Sequence, residues 1–174
     1  GGPVVVTATV TEDLGGGQFG ATSEFSAAVA PAVASGATVL DAGGRRSDLV
    51  ARDGADLSGV PGVAGPAVAF DGSAARLVGP ATDVVSGGLT LSGWVRLDAA
   101  GDDPRVVAKA ASDGAAVYEL LVDDATGEAV ARLAVTGGVQ EVRGGSVLPG
   151  AWHMVAATWD GSTVRLYVDG TEVD

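Results

Sequence analysis

The chain has 174 residues, a net charge of −12, no cysteine and 28 glycines, and 47% of it is hydrophobic with only 5% aromatic. That length supports one domain with a real core. The charge argues against nucleic acid and anionic membranes, which attract basic proteins, and the lack of cysteine excludes disulfides and thiolate metal sites. An acidic solvated surface is the plain reading, and it is compatible with calcium or glycans.

Residues 1–36 precede the regular part of the sequence. "VVVTATVTE" is β-branched at most positions and predicts a strand. "DLGGGQFG" reads as a flexible turn or linker. "ATSEFSAAVAPAVASG" admits a short helix capped by Ser23 and ended by Pro31, or an extended segment; the extended form is preferred because the remainder reads as all-β. The longest apolar run, "FSAAVAPAVASGATVL", is broken by Pro31 and Gly36 and is too short to span a bilayer as a helix. The start on "GGPVVV" without methionine is expected of a processed or excised piece.

From residue 37 a strand rhythm sets in. "ATVLDAGG" predicts a short strand and turn, and "RRSDLVARDGADLSGVPGVAG" mostly loop. "PAVAFDG" and "ARLVGP" read as a strand pair joined at Asp71-Gly72. In "LTLSGWVRLD" Leu89, Leu91, Gly93, Val95 and Leu97 share one face and Trp94 lies on the other, so the strand is expected to be central and covered on both sides. "RVVAKAA", "AVYELLVDD", "EAVARLAVTG" and "VQEVRGG" follow as short strands. "WHMVAATWDGSTVRLYVDG" carries the strongest hairpin signal, with Asp160-Gly161 expected at a tight turn. Many short strands at regular turn spacing predict a two-sheet antiparallel β-sandwich.

The stretch from "LTLSGWVRLD" to "LPGAWHMVAATWDGSTVRLYVDGTEV" resembles the laminin-G-like, concanavalin A-like lectin/glucanase family. Its tail motif stands here as Trp152, His153, Asp160, Gly161 and Leu166 to Gly170. The resemblance covers residues 37–174 and implies an all-β jelly-roll sandwich. It also implies further C-terminal strands that are not seen here, so the domain is expected to be C-terminally incomplete, with residues 1–36 an added strand and linker. Three accounts of the gap stand open: a cut chain, filling by "PVVVTATVTE" of the same chain, or a strand from another subunit.

Candidate chemistry is sparse. The single histidine, His153, sits in a strand motif and reads as a packing or hydrogen-bonding residue; one histidine without cysteine cannot build the usual zinc sites. "YELLVDDATGE" offers Glu119, Asp123, Asp124 and Glu128, but not at the spacing of a glycosidase carboxylate pair. By the resemblance, calcium would sit in "DAGGRRSD" on Asp41, Ser47, Asp48 and carbonyls, although Arg45 and Arg46 are unfavourable neighbours and ordinary loop solvation is the competing reading. Trp94, Trp152, Trp159 and Tyr167 are a possible sugar-stacking set, with inward packing expected for most of them. Trp159 is the best placed for exposure, and Asp102, Asp103 and Asp113 lie on loops expected to reach a ligand. The expected function is a non-catalytic extracellular or cell-surface module binding glycan or protein. The alternatives are a filament or virion subunit self-associating through an open sheet edge, and, more weakly, a glycoside-acting enzyme. Neither nucleic acid nor membrane insertion is expected.

Overall fold

The computed structural model describes residues 4–13, 19–24, 37–40, 48–79, 87–98, 104–111 and 116–174, with side chains from residue 37 onward. The described residues form strands and turns and no helix. In chain order the strands are β1 (Val4–Asp13), β2 (Phe19–Glu24), β3 (Thr38–Val39), β4 (Leu49–Arg52), β5 (Asp56–Pro61), β6 (Pro66–Phe70), β7 (Arg76–Val78), β8 (Gly88–Leu97), β9 (Arg105–Ala110), β10 (Ala116–Val122), β11 (Ala129–Val135), β12 (Gly138–Gly144), β13 (Trp152–Trp159), β14 (Val164–Val168) and β15 (Thr171–Glu172).

Eight strands make the larger sheet, ordered β15-β14-β13-β8-β1-β6-β5, with β2 also on β1. All pairings in it are antiparallel. β8 is its hub. Along one edge it pairs with β13, from Trp152 opposite Arg96 to Trp159 opposite Leu89. Along the other it pairs with β1 over ten residues, from Val4 opposite Leu97 to Asp13 opposite Gly88. The position beside β8 is therefore taken by an N-terminal strand of the same chain. Phe19 and Gly20, read from the sequence as linker, belong to β2, because they pair back onto β1 where Asp13 faces Phe19. Residues 25–36 of the ambiguous segment lie outside the described residues.

The second sheet is β12-β11-β10-β9, also antiparallel. The two sheets close on one core, as a jelly-roll β-sandwich requires. Leu89, Leu91, Val95 and Leu97 of β8 meet Val155 and Ala157 of β13, Leu166 of β14, Leu120 and Val122 of β10, and Ala131 and Leu133 of β11. Leu166, Leu120, Val95 and Val155 are fully buried, each contributing roughly 1.5–3 kcal/mol of transfer free energy. Aromatic rings are few, so Ala and Val close the gaps, and the sheets interlock through small side chains.

A third, three-stranded sheet, β3-β4-β7, was not expected. With β5 and β6 it encloses a smaller cluster of Val39, Ala51, Ala55, Leu57 and Val68, and Phe70 packs against both clusters. Two sequence expectations are corrected here. "RRSDLVARDGADLSGVPGVAG" is not mostly loop: Leu49–Arg52 and Asp56–Pro61 are strands, because Ala51 and Leu57 bury against Val39 and Val68 despite their polar flanks. β6 and β7 do not pair with each other. β6 joins β1 and β5, whereas β7 joins β4. The link between them is set by Asp71, whose Oδ1 accepts the N–H groups of Ser73 and Ala75.

The two terminal Asp-Gly pairs behave differently. Asp169 and Gly170 have φ of 51° and 79°, the double left-handed geometry of a type I′ hairpin turn, and Val168 faces Thr171 across it. At Asp160-Gly161 only Gly161 has positive φ, so the expected tight turn is instead a wider loop between Trp159 and its partner Val164. The Asp160 carboxylate organises that loop, accepting from the Ser162 and Thr163 N–H groups and from Arg165 Nη1. The Arg165 guanidinium, with these N–H donors, holds Asp160 well below the usual carboxylate range.

Candidate functional site

Strand alternation sends every second residue of β8, β13 and β14 away from the core. On that outer face of the eight-stranded sheet, Trp94 stands opposite Met154, Arg96 opposite Trp152, and Ser92 opposite Ala156, which in turn faces Tyr167. Thr7, Thr9 and Thr11 of β1 are the register partners of Trp94, Ser92 and Thr90. Trp94, Trp152, Met154 and Tyr167 are partly exposed and absent from the core cluster. The expectation of inward packing therefore fails for Trp152 and Tyr167, because the core is filled by the alternate positions, while Trp94 stands off the core as the alternation of β8 predicts. The Arg96 guanidinium lies 5.4 Å from the Trp152 ring centroid, a cation–π contact worth about 0.5–1 kcal/mol at an accessible site. Its Nε sits 3.4 Å from Asp98 Oδ1, an ion pair too poorly aligned to satisfy that nitrogen, which has no hydrogen-bond partner among the described residues. The result is a face of flat rings, with the partly exposed Thr90 and Thr158 paired further along it.

Trp159 is on the opposite side. It packs against the core cluster, and its buried Nε1 has no partner among the described residues. Together with Leu89, Leu91, Leu133, Ala157 and Val164 it lines a crevice of about 10 Å³, room for one water at most. Asp48 lies just before β4 and is partly exposed. Asp41, Ser47, Asp102, Asp103 and Asp113 lie outside the described residues. Among the described residues no three His, Asp or Glu side chains converge.

Of the carboxylates weighed for catalysis, Glu119, Asp123 and Glu128 are engaged in a charge ladder across the four-stranded sheet. Glu119, Arg132 and Glu141 are cross-strand neighbours. Arg105 Nε donates to Glu119 Oε1 at 2.7 Å, and Arg132 Nη1 to Glu119 Oε2 at 3.3 Å. Arg132 Nε donates to Glu141 Oε2 at 2.6 Å, and Arg143 Nη2 to Glu141 Oε1 at 2.9 Å. Arg143 also lies 3.6 Å from Asp123. Glu119 thus has both oxygens occupied, with its side chain only 11% exposed. Nothing in the spacing of 119, 132 and 141 along the chain announces this ladder; only the register does.

Glu119→Ala is expected to lower stability by about 2 kcal/mol in denaturant titration, less than for a dry ion pair, because its guanidinium partners reach solvent. Hydrogen bonds from Arg132 and then Arg143 hold Glu141 below its ordinary value. A carboxylate depressed in the folded state stabilises above its unfolded pKa, and that contribution is lost as pH falls through the folded value. Stability is therefore expected to drop on acidification below the usual carboxylate range, with a shallower drop in Arg132→Ala. An identical acid profile in the two proteins would remove this role.

His153 is locked into the structure rather than poised for chemistry. Its Nδ1 is 2.8 Å from Asp169 Oδ2, its Nε2 accepts the Leu148 N–H at 3.2 Å, and Asp169 Oδ1 accepts the Met154 N–H at 2.9 Å. Burial works to raise Asp169, but the bonds from His153 and Met154 prevail and its carboxyl is lowered.

Residues 71–174, more than half of the chain, match the family model described as the concanavalin A-like lectin/glucanases superfamily. No curated protein and no solved structure matches the chain. The match begins at Asp71, so β3 to β6, which the sequence resemblance included, precede it.

Proposed function

Because the chain belongs to the concanavalin A-like lectin/glucanases superfamily, we propose that it is a non-catalytic recognition module working outside the cell or at its surface, and that it takes a glycan on the outer face of the eight-stranded sheet. The observation that carries this reading is the set of Trp94, Trp152 and Tyr167 on adjacent strands, partly exposed and outside the core. Aromatic faces suit the C–H surfaces of sugars, and the partly exposed Thr90 and Thr158 on the same face suit sugar hydroxyls. Of the guanidinium groups next to this face, Arg165 is hydrogen-bonded to Asp160 and Arg96 has Asp98 beside it and lies over Trp152, which favours a neutral sugar over an acidic one.

The superfamily contains lectins and glycosidases alike. The binding reading is supported over catalysis by Glu119, which is held by two arginines, and by His153, whose nitrogens both have partners. Assembly by strand exchange has less support, since β1 pairs with β8 of its own chain over ten residues.

A glycan array followed by calorimetry tests the proposal. A neutral glycan is expected to bind, with affinity falling at least about tenfold in Trp94→Ala and in Tyr167→Ala, while thermal midpoints change little. Binding that survives both substitutions, or no glycan ligand at all, would remove it. Melts with calcium chloride and with EDTA test the calcium expectation at Asp41, Ser47 and Asp48; a calcium-independent midpoint removes that expectation.

A further inference from the structure

The segment 144–151 crosses the end of the sandwich between β12 and β13 and leads directly into Trp152. It is tied down at separate points. The Val147 side chain is 1% exposed and belongs to the main core. The Val147 N–H donates to the Gly127 carbonyl, and the Gly150 N–H to the Leu97 carbonyl at 2.7 Å. Between these anchors the tip, Leu148-Pro149, is held by the Leu148 N–H donating to His153 Nε2 at 3.2 Å. The Leu148 side chain is 62% exposed, so the core does not hold it. Gly145 and Gly150 flank the tip with positive φ.

This geometry fixes the state of the imidazole. A backbone N–H only donates, so Nε2 must accept, and the neutral ring must carry its proton on Nδ1, where it donates to Asp169. An imidazolium donates from both nitrogens. Its Nε2–H would face the Leu148 N–H, turning a bond into a donor–donor contact. The other bond changes in the opposite sense, since a charged ring pairs more strongly with the Asp169 carboxylate. Asp169 cannot follow the strap, because Oδ1 holds the Met154 N–H and its own N–H donates to the Met154 carbonyl. Protonation thus acts on one side only.

We propose that His153 is a proton-operated clasp for the 144–151 strap: the neutral ring holds the tip at Leu148, and the protonated ring releases it while remaining on Asp169. Asp169, on the β14–β15 turn, is the charged group in contact with the ring. The strap carries no titratable side chain, and neither does Val95, the β8 residue opposite His153. Across the core, β10 contributes Tyr118, whose hydroxyl burial pushes up and keeps neutral. Arg96 and Arg165 project from the other face of the sheet. The device stands apart from the glycan proposal and would tune the ground beside Trp152 whatever that face binds.

Amide exchange followed by NMR tests the clasp, with the Gly150 N–H as internal reference because its carbonyl acceptor does not titrate. From about pH 8 to about pH 5, the range in which imidazole titrates, protection of Leu148 relative to Gly150 is expected to fall at least about tenfold. In His153→Gln that ratio should not vary with pH. Imidazole ¹⁵N shifts of the unaltered protein should show the proton on Nδ1 at the upper end of the range. A constant Leu148 to Gly150 ratio in the unaltered protein, the same fall in His153→Gln, or an Nε2-protonated neutral ring would each overturn the proposal.

Discussion

Removing residues 1–13 is expected to abolish the cooperative thermal transition and to leave a chain that aggregates. β1 lies in the interior of the eight-stranded sheet, with β8 on one side and β6 and β2 on the other. Its loss breaks a ten-residue pairing with β8 and separates β6 and β5 from the rest of the sheet. β8 is also the strand whose Leu89, Leu91, Val95 and Leu97 anchor the main core. An unpaired edge on such a strand is a template for association with other chains, and the backbone groups exposed cost on the order of 1 kcal/mol each where water cannot reach them. Summed along the strand, that loss rivals the whole stability of an ordinary domain, about 5–15 kcal/mol. Circular dichroism on heating and light scattering at room temperature measure the outcome. A synthetic peptide of residues 1–13 added in trans should restore part of the transition. A truncated chain that stays monomeric and melts cooperatively would show that β1 is dispensable.

The main sandwich was legible in the sequence because its strands alternate cleanly. In β8 the period of two places Leu89 to Leu97 on one side and Trp94 on the other, and the structure keeps that division. In β14 the same alternation buries Val164, Leu166 and Val168. β4 and β5 carry little sequence signal for a physical reason: their buried positions are Ala51 and Leu57, set among Arg, Asp, Gly and Ser, and a small apolar face against a small sheet leaves little pattern. Strand pairing is likewise not written in the local sequence. β6 and β7 follow one another across an Asp-Gly turn yet enter different sheets, and no local signal distinguishes that from a hairpin. Asp160-Gly161 and Asp169-Gly170 are the same dipeptide. What separates them is Arg165 and Ser162, which draw the Asp160 carboxylate into a wider loop.

The candidate face was half legible. Alternation puts Trp94 off the core, but whether Trp152 and Tyr167 share its side depends on the register of β13 against β8 and β14, which a single chain does not declare. Glu119 illustrates the same limit from the opposite direction. Its place among apolar neighbours on β10 marks it as unusual, and only the cross-strand partners Arg132 and Arg105 turn it from a possible acid into a structural anchor.

Gly145→Ala is expected to cost about 3 kcal/mol, against about 1 kcal/mol for Gly150→Ala. Both glycines sit in the strap with left-handed φ, 68° and 87°, and an L-residue there costs about 1–2 kcal/mol from backbone strain alone. Their surroundings differ. A Cβ on Gly150 meets nothing within 4 Å, whereas one on Gly145 would come within 2.6 Å of Val168 Cγ2 and 3.0 Å of its Cβ. Val168 is buried at the end of β14 and is followed at once by the Asp169-Gly170 turn, so it cannot swing aside without disturbing the corner that holds His153. Overpacking of this kind adds about 1–3 kcal/mol. Denaturant midpoints of the two variants separate the contributions: Gly150→Ala reports the backbone cost, and the excess in Gly145→Ala reports the contact with Val168. The double variant Gly145→Ala/Val168→Ala makes the attribution sharper, since trimming Val168 removes the closest contact, the one with Cγ2, while its Cβ and Val173 Cγ1 at 3.3 Å stay in place, and should leave a coupling of about 1 kcal/mol relative to additivity. Additive single effects would mean that the strap yields around a new methyl group, and that its close seat on β14 is not what requires a glycine there.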